Sequence, residues 1–167
     1  MKNSTLDIAT VPLEKANLIE ASAGTGKTYA IAALYLRLIL EQGLTVQQIL
    51  VVTYTKAATA ELGDRIRARI RDALLLLQTD QESDDVLLRD LIGRVRAAGE
   101  QELARNRLSL ALQGFDEAAV FTIHGFCQRI LTENAFESRE TFDAEIITDQ
   151  SGLVNGIAED YWRVHCS

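Results

Sequence analysis

The chain has 167 residues, 47% hydrophobic and 25% charged, with one proline and ten glycines; this is about one domain's worth of ordinary globular composition and excludes fibrous and low-complexity classes. A net charge of −7 argues against a small stand-alone nucleic-acid-binding module, although phosphates respond to the local field more than to net charge. The apolar runs fall short of the ~20 residues of a membrane span, the first residues carry no secretory pattern, and two cysteines make no disulfide or metal framework, so a non-membrane, cytoplasmic chain is expected.

Residues 1–17 are a lead-in, and Pro12 to Lys15 is expected on the adenine side of any bound nucleotide because it enters the first strand. Leu18–Glu20 is predicted to be that strand. Ala21 to Thr28 reads ASAGTGKT. It meets the phosphate-loop pattern G-x-x-x-x-G-K-[ST] at Gly26, Lys27 and Thr28, with Ala21 in place of the first glycine. A glycine-containing turn lets backbone N–H groups converge on phosphate oxygens, and the following helix adds its N-terminal N–H groups and partial positive charge. Ala21, Ser22, Ala23, Gly24, Thr25 and Gly26 are therefore candidate cradle residues. Lys27 is expected to reach the β- and γ-phosphates of ATP, and the Thr28 hydroxyl to ligate Mg²⁺.

Ala30–Leu40 carries Ile31, Leu34, Tyr35 and Leu38 at helical spacing, and Gly43 stops the helix. Residues 49–54 (ILVVTY) are continuously apolar at the start, as in a parallel strand covered on both faces. Strand, helix and second strand suit a βαβ unit. Thr55 is a plausible N-cap for a second helix reaching Leu77, with Leu62, Ile66, Ile70 and Leu74 as its buried stripe. Thr79–Asp85 reads as a solvated acidic loop. Val86–Leu112 is helical in pattern, broken near Gly93 or Gly99, and is expected to be a peripheral elaboration. Val120–Thr122 is a third short strand, followed by a helix over Phe126–Ala135 with Ile130 and Leu131 inward. Phe142–Thr148 is extended, and Asp149–Arg163 is helical with Leu153, Ile157 and Trp162 available for packing.

Two stretches lie at carboxyl ends of predicted strands, where open α/β sheets place ligands. Thr53 to Leu62 offers two threonines, a lysine and a helix start, which suits a phosphodiester backbone and equally suits a surface turn that caps a helix. Thr122 to Cys127 holds a histidine and a cysteine three apart, without a third orienting residue for nucleophilic chemistry and without a metal set. From the residues alone, a P-loop enzyme such as a small nucleotide kinase and a non-catalytic binding module both remain open.

The order ASAGTGKT, VVTYTKAATAELGDRIR and FTIHGFCQRIL resembles motifs I, Ia and Ib of superfamily 1 DNA helicases of the UvrD/Rep type. LIEASAGTGKT and DEAAVFTIHGFCQRIL resemble its helicase–exonuclease branch. The resemblance runs from about Pro12 to the end. It implies an α/β fold, an incomplete RecA-like P-loop NTPase domain with parallel strands and flanking helices plus a helical elaboration. Residues 1–148 would belong to domain 1A, and residues 149–167 would begin an inserted helical subdomain 1B.

The resemblance also implies ATP and Mg²⁺ at Lys27 and Thr28. It implies contact with single-stranded DNA at Thr53, Thr55, Lys56, Thr122, His124 and Phe126, and 3′-to-5′ movement on DNA. Two further subunits, gamma and alpha, would be partners. Two departures accompany it. Glu14 lies nearest the place of the glutamine that reads adenine, and the acidic box of motif II is not among these residues. The chain accordingly reads as an N-terminal part, expected to be inactive alone as ATPase, helicase or nuclease.

Overall fold

The computed structural model describes residues 7–20, 24, 26–79, 83–134 and 151–165. Two compact units are present, residues 1–123 and 124–167. In the first, the elements run α1 (Lys27–Gln42), β1 (Val51–Thr53), α2 (Lys56–Gln78), α3 (Val86–Ala97), α4 (Gln101–Gln113), a 3₁₀ turn at Phe115–Glu117 and β2 (Val120–Thr122).

Local chemistry sets the helix ends. α1 runs between two left-handed glycines, Gly26 at φ 85° and Gly43 at φ 67°, and the Gly43 N–H donates to the Leu38 carbonyl. A left-handed turn at each end costs glycine little because no Cβ is present. α2 begins as expected at Thr55, whose hydroxyl accepts from the Ala58 N–H. It then runs 23 residues, about 34 Å at 1.5 Å per residue. The helical break falls at Gly99 (φ 72°), and Gly93 lies inside α3.

α2 is the spine of this unit. Its stripe Leu62, Ile66, Ile70, Ala73 and Leu77 is buried, with Leu74 half-buried at its margin. α1 covers one side with Tyr35, Leu36 and Ile39. α3 and α4 supply Leu88, Leu91, Ile92, Ala104, Leu108 and Ala111 to the same core. The segment expected to be peripheral is thus a wall of the core, because its apolar side fits the α2 stripe. Ile66, Ile70 and Leu108 are fully buried, and each such side chain contributes about 1.5–3 kcal/mol on leaving water. Burial pushes the Tyr35 phenol up to about 12.

The two strands pair in parallel, Val51 with Val120, Val52 with Phe121 and Thr53 with Thr122. α2 packs on both, while Val52 on the alternate face is 40% exposed; coverage of both faces is not seen among the described residues. Leu18–Glu20 forms no strand, and Leu18 is 71% exposed. Three residues gain strand structure only from a hydrogen-bonded neighbour, and β1 pairs with β2 instead, so the expected βαβ unit from Leu18 to Tyr54 is not formed.

In the second unit, α5 (Ile123–Glu133, beginning on the last residue of the first unit) has no buried residue. Ile130 and Leu131, expected inward, are exposed. α6 (Ser151–His165) presents Val154, Ile157, Tyr161 and Trp162 to solvent. The expected extended segment Phe142–Thr148 lies outside the described residues, as does the Leu153 side chain. Among the described residues no helix is long and apolar enough to cross a membrane.

Candidate functional site

The loop enters α1 through Gly24 at φ 77° and Gly26 at φ 85°. Among the described residues a Cβ at either position would meet nothing within 4 Å, so the demand for glycine there is conformational. Gly26 is the N-cap and offers no side-chain hydrogen bond, and the first turn of α1 has no acidic residue. An anion placed there would meet a helix N-terminus with no side-chain cap and no carboxylate in its first turn. Lys27 is the first helical residue and is exposed, and Thr28 is half-buried beside it. These features fit a bound phosphate chain, with an ammonium and a hydroxyl at the helix start. Ala21, Ser22, Ala23 and Thr25 lie outside the described residues.

Before the loop, the Asn17 side-chain amide donates to the carbonyls of Pro12 at 2.8 Å and Glu14 at 3.3 Å. Lys15 takes φ 62° inside that turn, the left-handed region that costs a side-chain-bearing residue about 1–2 kcal/mol. Glu14 is exposed.

The first turn of α1 is tied to two other helices. The Tyr29 hydroxyl lies 2.9 and 3.1 Å from the two Asp85 carboxylate oxygens. Arg69 of α2 donates from Nη1 to Asp85 at 2.6 Å, and its guanidinium carbon stands 4.3 Å from the Tyr29 ring centroid. Asp85 also accepts from the Leu88 N–H as the N-cap of α3. Burial alone would raise the Asp85 pKa. Hydrogen bonds from the Leu88 N–H, Arg69 and Tyr29, with the Arg69 charge, outweigh it and leave the carboxyl below its usual value. The sequence reading missed this triad. Asp85 is half-buried rather than part of a solvated loop, and its place directly before Val86 was the available signal, since aspartate there is an N-cap.

Thr53 and Thr122 end the two parallel strands side by side. The Thr53 hydroxyl is engaged with the Thr59 hydroxyl at 2.5 Å and the Thr55 carbonyl at 3.2 Å. Thr55 caps α2, and Lys56 is its exposed first residue. His124 (exposed) and Phe126 (half-buried) lie on α5 in the second unit. Cys127 is an exposed free thiol. No group of three His, Cys, Asp or Glu able to hold a metal occurs among the described residues.

A family model described as "UvrD/REP helicase N-terminal domain" matches residues 1–163. The chain is similar to "RecBCD enzyme subunit RecB" of Escherichia coli (strain K12), 49% identical over 97% of this chain and 14% of that protein. The protein of the same name in Haemophilus influenzae is 45% identical over 96% of this chain and 14% of its own length. That of Mycolicibacterium smegmatis is 35% identical over 89% and 13%. The chain thus spans about one seventh of the length of the curated relatives it matches.

Proposed function

The chain belongs to the UvrD/REP helicase family through its N-terminal domain, and on that premise we propose that it forms the ATP-binding part of a 3′-to-5′ DNA helicase and exonuclease subunit. Its work is double-strand break repair and recombination in the cytoplasm. Its partners are DNA and, as the names of its relatives imply, the RecC and RecD subunits of a RecBCD-type enzyme. In this reading residues 1–148 are part of RecA-like domain 1A, and residues 149–167 begin helical subdomain 1B.

The observation that carries the reading is the start of α1. A loop with two left-handed glycines delivers Lys27 and Thr28 at a helix N-terminus that has no side-chain cap and no acidic first turn. Bound Mg²⁺–ATP supplies the phosphoryl-transfer free energy that drives a helicase. Lys27 neutralises charge at the β- and γ-phosphates and Thr28 offers its hydroxyl to the cation. In this reading residues 21–28 are the phosphate loop. The residues that contact single-stranded DNA in this reading are Thr53 and Thr122 at the strand ends, Thr55 and Lys56 at the start of α2 and, in the second unit, His124 and Phe126. The 167 residues alone are inactive in this reading, because hydrolysis also needs a carboxylate that holds the cation and orients water.

The test is Lys27→Ala in the full-length protein. ATP-driven unwinding and tight binding of a non-hydrolysable ATP analogue are both expected to be lost. Normal unwinding by the variant overturns the assignment. Robust ATP turnover by the 167-residue chain, lost on Lys27→Ala, overturns its inactivity.

A further inference from the structure

We infer that Arg69 is a positioning residue for nucleotide binding, holding the first turn of α1, and with it Lys27 and Thr28, through Tyr29 and Asp85. This rests on the ATP-binding reading above. Tyr29 follows Thr28 directly and belongs to the same helical turn. Its ring lies under the Arg69 guanidinium and its hydroxyl meets the carboxylate that the same guanidinium grips. A side chain fixed at its face and at its tip leaves the backbone that carries it little freedom.

Arg69 is itself anchored. It lies between Ile66 and Ile70, both fully buried on α2, so its stem leaves a helix that cannot shift without opening the core. Asp85 is anchored as the N-cap of α3. Three helices therefore converge on one carboxylate beside the loop.

The guanidinium of Arg69 is only partly satisfied by hydrogen bonds. Among the described residues, its Nε and Nη2 are buried with no hydrogen-bond partner. Arg37 shows what that edge of a guanidinium otherwise does: Nε and Nη2 each donate to Glu41 at 2.8 Å. Buried donors without acceptors are costly, and an apolar replacement of a buried ionic group is often neutral or stabilising. What the unsatisfied guanidinium does secure is the place of Tyr29. Phosphoryl-transfer sites work chiefly by positioning and electrostatics, so a slack first turn displaces the groups that grip the nucleotide.

The experiment uses the full-length protein and three variants. Tyr29→Phe keeps the ring and removes the hydroxyl. Arg69→Met keeps the apolar stem and removes the charge. Arg69→Lys restores a charge without the planar fork. Measured are the Kd of a non-hydrolysable ATP analogue, KM and kcat of DNA-stimulated ATP hydrolysis, and the thermal midpoint. Arg69→Met is expected to raise Kd and KM about tenfold and Tyr29→Phe about threefold, with kcat within about twofold, the pattern of lost binding rather than lost chemistry. Arg69→Lys is expected to recover part of the loss.

Unchanged Kd and KM in Tyr29→Phe and Arg69→Met, while the parent protein binds and Lys27→Ala does not, overturns the inference and leaves the ATP-binding reading standing. A lowered midpoint and kcat with unchanged Kd also overturns it, since that is a structural role. A parent protein that does not bind the analogue overturns both. If Arg69→Met does not fold, Tyr29→Phe decides, because it removes one oxygen from an exposed side chain.

Discussion

Thr53 and Thr122 are register partners at the carboxyl ends of two parallel strands. The pairing puts the ends of two sequence-distant motifs side by side, yet the Thr53 hydroxyl is turned to Thr59 and the Thr55 carbonyl. Lys56, the exposed first residue of α2, is the formal charge beside them. Lys56→Ala is expected to weaken single-stranded DNA binding evenly across sequences and to reduce the slope of log K against log salt by about 0.7, one phosphate's share. Thr53→Val is expected to leave that slope unchanged and to cost about 1 kcal/mol of stability through its lost hydrogen bonds. Salt titrations of DNA affinity separate the two; an unaltered slope for Lys56→Ala removes it from the DNA path.

Gly26 and Gly43 both sit in the left-handed region, but their surroundings differ. Among the described residues a Cβ at Gly26 meets nothing within 4 Å, whereas one at Gly43 lies 2.8 Å from Arg107 Nη2, and Arg107 donates from Nη1 to the Leu40 carbonyl. Gly26→Ala is expected to cost about 1–2 kcal/mol of backbone strain and to weaken nucleotide binding about tenfold. Gly43→Ala is expected to destabilise more, because Arg107 must also move, and to leave nucleotide affinity unchanged. Urea unfolding and analogue titration together check the contrast.

Arg37 is 4% exposed, and each of its three side-chain nitrogens donates a hydrogen bond. Besides its two bonds to Glu41, Nη1 donates at 2.8 Å to the carbonyls of Ile8 and of Val11. It ties the lead-in to α1. Glu41→Ala strips the guanidinium of its carboxylate and is expected to destabilise by about 2–4 kcal/mol, toward the range for breaking a buried pair. A loss below about 0.5 kcal/mol in urea unfolding counts against this account.

The Asp85 carboxyl is held below its usual value, so the folded state binds its proton less readily than the unfolded chain does. Its contribution is complete above the ordinary carboxylate range near pH ~4 and is lost as pH falls through the lowered value. Asp85→Asn is expected to be less stable by about 1–3 kcal/mol at neutral pH and to show a shallower decline below pH ~4. Unfolding free energies measured from pH 3 to 7 check this; parallel curves for the two proteins refute it.

Much of the local structure around the candidate site was legible because its signals are local. GKT after a glycine-containing loop, Thr55 before an alanine-rich helix, Gly43 past the end of α1 and the Leu62–Ile66–Ile70 spacing each state a preference of a few neighbouring residues. The same logic misled at Leu18–Glu20, where an apolar triplet suits a strand but has no hydrogen-bonded neighbour among the described residues. It also misled at Asp85, where the acidic composition of the stretch hid a half-buried cap; residues 80–82 lie outside the described residues.

The sequence by itself determined the helices, the N-cap at Thr55 and the stop at Gly43, since these follow from backbone preference and periodicity over a turn or two. Tertiary structure alone decided that β1 pairs with β2, that α3 and α4 wall the core, and that Tyr29, Arg69 and Asp85 meet. Those outcomes depend on how three helices pack along α2, and no residue's local preference encodes which distant hydroxyl, guanidinium and carboxylate will meet.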